Sequence, residues 1–271
     1  MCKLIYESHN YTLCIRTYTK NLTLSVFLFG YIDGFKTRYS EEMKVEIISI
    51  DNGFQYILTD KNDIFELEKM PENNKITNLC LTSNRFKTNL NILRLYPNIT
   101  ELTLIGDFSN YQFVHNLYFI ESLKLYLSNA DYSEYENLMT SKLNRLDIQE
   151  TRKITDLNFI NKAVNLKKLY LNNLPKVISL PEFNEICVLK IYELHKLNNI
   201  ESLINSKIQY ISLALCADKI SGTKIADTLI KMKELRKVDI SHIDRGGKRD
   251  EVIENRLKKY DMQNLIDREC K

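Results

Sequence analysis

A six-residue motif recurs along the chain. Its first, fourth and sixth positions are apolar, and the positions between them vary. Its eight instances begin at Ile76, Ile99, Ile120, Leu143, Leu166, Ile186, Ile208 and Leu235. Successive starts lie 20 to 27 residues apart, which is enough chain for one strand, one turn and one crossing segment. A single strand of this kind exposes an apolar face that only a neighbouring copy covers. The pattern therefore predicts stacked coils with a shared core.

The first coil contains ITNLCLTSN at 76–84, which resembles the signature of the leucine-rich-repeat superfamily. In that signature an Asn or Cys stands three residues after the third apolar position. Asn84 and Cys216 occupy this exit position, and Asp107 is a substitute. The stretch at 154–173 is similar to the short repeats of internalins and of phosphatase-regulating repeat proteins. The resemblance implies an α/β leucine-rich-repeat solenoid with a curved parallel β-sheet on its concave face, and an exit side chain that bonds backbone groups at the turn.

Several coils depart from this signature. The exit position is apolar at Leu174, Leu194 and Ile243. The longest interval contains GTKIADTLIKMKEL, in which Ile225, Leu229 and Met232 have helical spacing. We therefore predict an irregular array in which one crossing segment is a true helix.

The chain outside the repeats divides into two end segments. Strand-like runs occupy 11–18, 22–32, 45–50 and 54–58, and are broken by the turn dipeptides Asp33-Gly34 and Asn52-Gly53. Val45, Ile48 and Ile50 also fit a degenerate coil. We predict a β-rich N-terminal cap over 1–63, the repeat array over 64–243 and a helical C-terminal cap over 244–271, with a helix from Asp250 to Glu269.

The strand pattern also predicts which side chains face outward from the concave sheet. The residues between the second and third apolar positions point away from the core, because successive side chains alternate across a strand. Aligned coils then bring Asp147, Tyr170 and Lys190 into one column and Asn172 and Tyr192 into the next. Tyr and Arg are enriched at binding hot spots. We predict a partner-binding patch composed of Lys124, Tyr126, Arg145, Asp147, Lys168, Tyr170, Lys190, Tyr192 and Tyr210.

A second interpretation of the same tyrosines stays open. The chain has 16 tyrosines, and strands favour aromatic residues through cross-strand packing alone.

Charge limits the classes of partner. The chain has 38 basic and 35 acidic residues, with no basic tract, so we expect no nucleic-acid partner and no membrane surface. The apolar run at 22–32 is about half the length of a membrane-spanning helix. The excess of basic residues in the central coils predicts a protein partner with an acidic surface, held by a monomer.

Motifs for catalysis are missing from the sequence. The six cysteines form no C-x-x-C pair and have no zinc-like spacing to histidine, and the start of the chain lacks a signal-like pattern, so we expect reduced thiols and a cytoplasmic location. The four histidines are far apart, and Cys80 has no basic cluster beside it, which predicts an inert thiol. No phosphate-binding, dinucleotide or metalloprotease motif occurs. We expect no catalytic residues, no metal and no cofactor.

Two functions agree with these observations. The first is a protein-protein interaction module that occludes one target, as a toxin-neutralising immunity protein does. The second is a regulatory subunit or substrate adaptor whose partner supplies catalysis. An adaptor requires a second binding surface, which we expect on one of the two caps. A self-contained enzyme, such as a cysteine-dependent ligase, would need a separate domain with a reactive cysteine, and the chain has no room for such a domain outside its caps.

Overall fold

The computed structural model describes residues 73–240, 243 and 247–266, together with the strand segments 5–8, 11–15, 26–29, 46–50 and 53–58. Its main feature is an open sheet of ten strands whose spatial order is their order in the chain. These strands are β4 (Glu46–Ile50), β5 (Gly53–Leu58), β6 (Asn78–Asn89), β7 (Glu101–Ser109), β8 (Ser122–Tyr126), β9 (Arg145–Gln149), β10 (Lys168–Asn172), β11 (Val188–Tyr192), β12 (Tyr210–Ala214) and β13 (Lys237–Asp239). A separate antiparallel sheet contains β1 (Ile5–Ser8), β2 (Tyr11–Ile15) and β3 (Val26–Phe29).

The eight repeats correspond to the eight strands β6 to β13, and each strand begins two residues after its repeat. Neighbouring strands from β5 onward are parallel and pair equivalent motif positions, as Leu146 does with Leu123 and Leu169. These three leucines have no exposed surface. The predicted α/β class and the parallel stack are confirmed, and the unclosed sheet fits a leucine-rich-repeat-like solenoid.

The crossing segments cover the core side of the sheet with short helices. In the described residues the 3-10 helices span Asn73–Lys75, Leu90–Leu95, Tyr111–Asn116, Asn158–Lys162, Glu201–Asn205 and Gln263–Leu265. The α-helices are α1 (Tyr132–Glu136), α2 (Gly222–Lys231) and α3 (Lys248–Lys259). Helix α2 is the predicted one: Ser221 caps it by accepting from the Lys224 amide, and Ile225 and Leu229 are fully buried. The buried apolar side chains form one continuous core.

The exit turn of Cys216 agrees with the resemblance, because its side chain bonds a backbone group of Ala214. Backbone geometry is shared more widely among the exit turns. Glu150, Asn173, Glu193 and Leu215 directly follow four consecutive strands and all have left-handed backbone, with φ between 46° and 55°. The amides of the first three donate to the carbonyl that ends the next strand, each at 3.1 Å. Backbone bonds thus link these turns, while Leu174 and Leu194 at the exit position are simply buried. The side chain of Asn84 lies outside the described residues.

Strands β2 to β5 agree with the predicted strand-like runs, whereas β1 was not predicted and 45–50 does not form a degenerate coil. Strand β4 pairs with β5 in an antiparallel hairpin, in which Ile50 lies opposite Gly53, so the degenerate-coil interpretation is wrong. Strand β5 continues the parallel ladder, with Gly53 opposite Asn78. The parallel ladder therefore begins before the expected boundary at residue 64.

The C-terminal helix ends ten residues earlier than the sequence suggested. Asp261 has left-handed backbone, with φ 58°, and the Met262 amide donates to the Leu257 carbonyl at 3.0 Å, which closes the last turn. Helix α3 packs against α2 where Gly222 allows close approach: a Cβ there would lie 3.0 Å from the Arg249 carbonyl oxygen. The division of the chain into two caps and an array stays a prediction. None of the helices that the structure describes is long and apolar enough to cross a bilayer.

Candidate interaction surface on the open face of the sheet

One face of the ten-stranded sheet packs on the core, and we call the opposite face the open face. Its N-terminal end is covered: Gln55, Ile57, Cys80 and Thr82 are 4 to 8% exposed. From β8 to β13 most side chains on this face are half-buried or exposed. The accessible part of the open face therefore coincides with the strands that carry the predicted patch.

A row of alternating cations and tyrosines crosses this accessible part, with one residue on each strand from β9 to β13. We call it the cation–aromatic row, and its members are Arg145, Tyr170, Lys190, Tyr210 and Lys237. The Tyr170 ring lies 4.7 Å from the Arg145 guanidinium carbon and 5.3 Å from the Lys190 ammonium. The Tyr210 ring lies 5.7 Å from the Lys190 ammonium and 5.9 Å from that of Lys237. All four distances are within the range of cation–π attraction, about 0.5–1 kcal/mol each at exposed sites.

Strand register explains why the row forms. Tyr170 lies directly opposite Lys190, and Tyr210 directly opposite Lys237. The other two contacts are diagonal, because Arg145 lies two residues before the partner of Tyr170 on its strand, and long side chains reach across that diagonal. The in-register repeat thus aligns side chains that are 20 to 27 residues apart in sequence.

A polar network lies beside the row. The Gln149 amide donates to Asp147 Oδ1 at 2.9 Å, and the Asn172 amide donates to Gln149 Oε1 at 3.2 Å. Arg145 Nη2 lies 3.9 Å from Asp147 Oδ2. The network connects Arg145, the first residue of the row, to Asn172 on the next strand. Its two hydrogen bonds hold the Gln149 amide in one orientation.

Asp147 is the charge at the centre of this network. Its side chain is 11% exposed, whereas that of Arg145 is 39% exposed. Burial raises the pKa of the carboxyl, and the hydrogen bond from Gln149 and the charges of Arg145 and Lys124 oppose that rise. Asp147 therefore offers little surface to a partner. Its carboxylate mainly accepts the hydrogen bond from Gln149 and attracts the charge of Arg145.

A second acid on this face is also engaged by its neighbours. Ser212 donates to Asp239 Oδ2 at 2.9 Å, and its hydroxyl is 3.4 Å from the hydroxyl of Tyr192. Both Asp147 and Asp239 thus make hydrogen bonds within the sheet, while the cations of the row extend over tyrosine rings. The outer layer of the accessible face is basic and aromatic.

The remaining predicted patch residues lie on the same face. Lys124 is directly opposite Asp147, Tyr126 ends β8, and the exposed Lys168 begins β10. Lys237 belongs to the row but was not in the predicted patch, which stopped at the central coils. The signal for it was present, since Lys237 occupies the same motif position as Arg145. Contact of any of these residues with a partner stays a prediction.

The groups considered for chemistry lie apart from one another. His115 bonds the Asn137 carbonyl at 3.0 Å and His195 pairs with Asp218 at 3.1 Å, both at exposed positions off the open face. Burial raises the pKa of the Cys80 thiol to about 12. This fits the expected inert thiol, because the thiolate is the reactive form. His9 and His242 lie outside the described residues, within which no group of side chains is suited to hold a metal ion.

No protein-family model matches the chain, and no curated protein matches it significantly. Among solved structures, the chain is similar to one from the Toll–Spatzle complex of Drosophila, described as a molecular hub in development and innate immunity. The two share 10% identity with a TM-score of 0.38, over 89% of this chain and 38% of the other. The chain thus spans well under half the length of that structure. A similarity at this level supports no inference about fold or function. The fold is assigned from the order and the parallel pairing of the strands.

Proposed function

We propose that this chain is a non-enzymatic interaction module that binds one protein partner on the accessible part of the open face. The observation that carries the proposal is the cation–aromatic row, a line of five side chains from five strands. Tyr and Arg supply large contact areas at interfaces and dominate hot spots. The row presents them on a rigid sheet.

The row is suited to binding because its side chains are already arranged. Each long cation lies against a ring, so less rotamer freedom is lost when a partner arrives. The hydrogen bonds among Asp147, Gln149 and Asn172 fix the adjacent positions in the same way. A partner meets a surface that needs little reorganisation.

The charge of the face supports an acidic partner surface. From β8 to β13 the face carries five cations: Lys124, Arg145, Lys168, Lys190 and Lys237. It carries two acids, Asp147 and Asp239, and both accept hydrogen bonds from neighbours on the sheet. Complementary charge favours fast and specific encounter more than it adds affinity.

Occlusion of the partner's working surface is the mechanism that a single binding face supports best, as in an immunity protein that neutralises one target. A regulatory or adaptor role is the second candidate, because one observation favours it. Tyr118 and Phe119 are 74% and 51% exposed and pack edge to face at 4.9 Å on the turn before β8. This aromatic pair would serve as the second surface that an adaptor needs.

A capture experiment with matched variants tests the proposal. The wild-type chain, a Tyr170→Ala/Tyr192→Ala variant and a Tyr118→Ala/Phe119→Ala variant are immobilised after circular dichroism shows that all are folded. Each variant removes two aromatic rings. We expect one stoichiometric partner to be retained from source-cell lysate by the wild type and the second variant but lost by the first. Equal retention by all three, or loss with the second variant alone, contradicts binding on the open face.

The captured partner then separates the two candidate roles. A neutralising module lowers the partner's activity at one-to-one stoichiometry. An adaptor leaves that activity intact and requires Tyr118 and Phe119 for a third component to join the complex.

A further inference from the structure

We infer that the open face binds one Asp or Glu side chain of the partner between Arg145 and Lys168, where strands β9 and β10 begin. We call this place the anion subsite. The inference rests on the proposed function and gives its acidic partner one point of attachment. Three observations carry it: two like charges stand side by side, the Arg145 guanidinium lacks an acceptor, and positive charge is in excess around both.

Strand register places the two cations of the anion subsite next to each other. Arg145 lies directly opposite Lys168 on the neighbouring strand, so both side chains lie on the open face. Like charges directly opposite each other destabilise a sheet. Lys168 is exposed and forms no ion pair or hydrogen bond with another residue that the structure describes. A carboxylate between the two cations relieves their repulsion.

The Arg145 guanidinium is held in place, yet no described residue accepts a hydrogen bond from it. Its carbon lies 4.7 Å from the centre of the Tyr170 ring, and Nη2 lies 3.9 Å from Asp147 Oδ2, which is beyond hydrogen-bond range. Nε is enclosed and has no acceptor, while the side chain as a whole is 39% exposed, so a ligand reaches the terminal nitrogens. A planar guanidinium in this state is suited to bidentate pairing with a carboxylate.

Positive charge is in excess around the anion subsite. Lys124 lies directly opposite Asp147 on one side, and Lys190 lies one strand beyond the subsite on the other. With the two cations of the subsite, four positive charges stand on the open face of β8 to β11, and Asp147 is the one acid there. Asp147 compensates one of the four charges at most. The remaining net charge of +3 attracts an anion to this part of the face.

The backbone of the anion subsite favours a carboxylate over a phosphate. Phosphate sites use backbone N–H groups at helix N-termini or in loops in addition to cations. Here the Arg145 amide donates to the Glu121 carbonyl and the Lys168 amide to the Asn144 carbonyl, each at 3.0 Å. Only side chains are therefore left to bind the ligand. The carboxylate of Asp147 also repels a doubly charged phosphate more strongly than a singly charged carboxylate.

Titration with a capped amino acid tests the anion subsite. The probe is N-acetyl-glutamate methylamide, whose only charge is its side-chain carboxylate, and the neutral match is N-acetyl-glutamine methylamide. Nuclear magnetic resonance follows the Arg145 Nε–H signal and the backbone amides of β9 and β10, with ionic strength held constant by sodium chloride. We expect the glutamate probe to shift these signals saturably in the millimolar range, as two exposed ion pairs allow, and the glutamine probe to leave them unchanged.

Three variants separate bidentate pairing from attraction by charge. Lys168→Gln should weaken binding of the glutamate probe about threefold. Arg145→Lys keeps the charge but loses the planar fork, and it should weaken binding more, about tenfold, as read from the backbone amides. The matched control is Lys196→Gln, an exposed lysine outside the strands, which should bind as the wild type does.

Thermal unfolding provides a readout that does not depend on a ligand. At low salt Lys168→Gln should melt above the wild type, because it removes the repulsion from Arg145, and the gain should shrink as salt is added. Lys196→Gln should show no such gain. A lower Tm of Lys168→Gln at low salt would show that Lys168 is already paired within the chain, which contradicts the inference.

Other outcomes also overturn the inference. Equal shifts with the two probes show contact without recognition of charge, and no shift at the highest soluble concentration shows that the subsite binds no carboxylate. A response to inorganic phosphate at lower concentration than to the glutamate probe assigns the subsite to phosphate groups. If the cellular partner is lost with Tyr170→Ala/Tyr192→Ala but retained by Lys168→Gln, and the glutamate probe does not bind, the proposed function stands and this inference alone fails.

Discussion

The side-chain amide of Gln149 donates a 2.9 Å hydrogen bond to the carboxylate of Asp147, two residues earlier on strand β9. Residues i and i+2 of a strand share a face, so both side chains lie on the open face. The bond compensates a carboxylate that is 11% exposed and has Arg145 as its nearest charged partner, at 3.9 Å. A largely buried carboxylate thus positions Gln149 on the accessible part of the open face and lies beside Arg145.

Replacement of Asp147 by Asn should stabilise the protein near neutral pH. Because burial raises the folded-state pKa of this carboxyl, the native chain holds a proton that the unfolded chain has lost at pH values between the two pKa values, and above the folded pKa ionised Asp147 lowers the free energy of unfolding. The free energy of unfolding contributed by this group is therefore highest below the unfolded pKa and falls as pH rises through the folded value. We expect that fall to be absent in Asp147→Asn, as measured by urea unfolding from pH 4 to pH 7.

The control is Glu182→Gln, an exposed carboxylate outside the sheet. Its stability should stay within about 0.5 kcal/mol of the wild type, as is usual for surface substitutions. A lower stability of Asp147→Asn than of the wild type at pH 7 would mean that attraction to Arg145 and Lys124 outweighs the cost of burial.

Glycine at a left-handed exit turn should raise the free energy of unfolding. Glu193 has φ 54°, a region that costs most residues about 1–2 kcal/mol and costs glycine little. Glu193→Gly should raise the free energy of unfolding by about 1 kcal/mol, as read from the denaturant midpoint. Asn173→Gly, at φ 51°, should gain less, because asparagine already tolerates this region. Destabilisation by Glu193→Gly would show that its side chain contributes more than its backbone costs.

Arg249 should be essential to the attachment of α3. Its guanidinium, 18% exposed, donates to the carbonyls of Ala217 at 2.6 Å, Ile243 at 2.9 Å and Ile220 at 3.1 Å. Arg249→Ala removes all three bonds, although the Ala217 carbonyl still accepts from the Ile220 amide at 2.8 Å, and it should cost about 2–3 kcal/mol. Arg249→Lys should recover only part of that, since an ammonium lacks the planar fork.

Hydrogen exchange is the measurement for Arg249, because it resolves the amides of α3. We expect faster exchange across 248–259 in both variants, while β8 to β11 stay protected. An exposed arginine, Arg236, provides the matched Arg→Ala control. Unchanged protection of α3 in Arg249→Ala would rule out the attachment role.

Thiol reactivity offers a further check on the fold. Burial raises the pKa of both Cys80 and Cys216 to about 12. Neither should be alkylated by iodoacetamide at pH 8 in the folded chain, and both should react after unfolding, as mapped by mass spectrometry. Cys187, which is half-buried, is the internal comparison and should react first among the three. Rapid labelling of Cys80 would show that the N-terminal end of the open face is uncovered in solution.

The sequence predicted the strand ladder well because a repeat places the same residue types at the same points of each coil. Where a coil lost that signal, the prediction failed. Strand β5 joins the parallel ladder, yet Asp51 stands where the later coils have an apolar residue, as the pairing of Gly53 with Asn78 shows. The early end of α3 was missed for a similar reason, since a left-handed Asp261 carries no strong sequence signal.

The nine patch residues lie on one face of the sheet, and their role in binding stays a prediction; the contacts that they make with one another were not predicted. Sequence alternation shows that Asp147 and Tyr170 face the same side, and the structure adds that one is buried and the other lies between two cations. Lys237 entered the row only through its distance to Tyr210. Side-chain reach across strands decides such contacts.

The sequence by itself determined the repeat, the parallel register and the face to which each strand residue points, because these depend on local periodicity and on identical coils stacking in register. Tertiary structure alone decided which cation lies on which ring, how far Asp147 is buried and which backbone groups join the exit turns. Those features depend on groups about twenty or more residues apart in the chain and on how much water their neighbours exclude, and no local pattern encodes either.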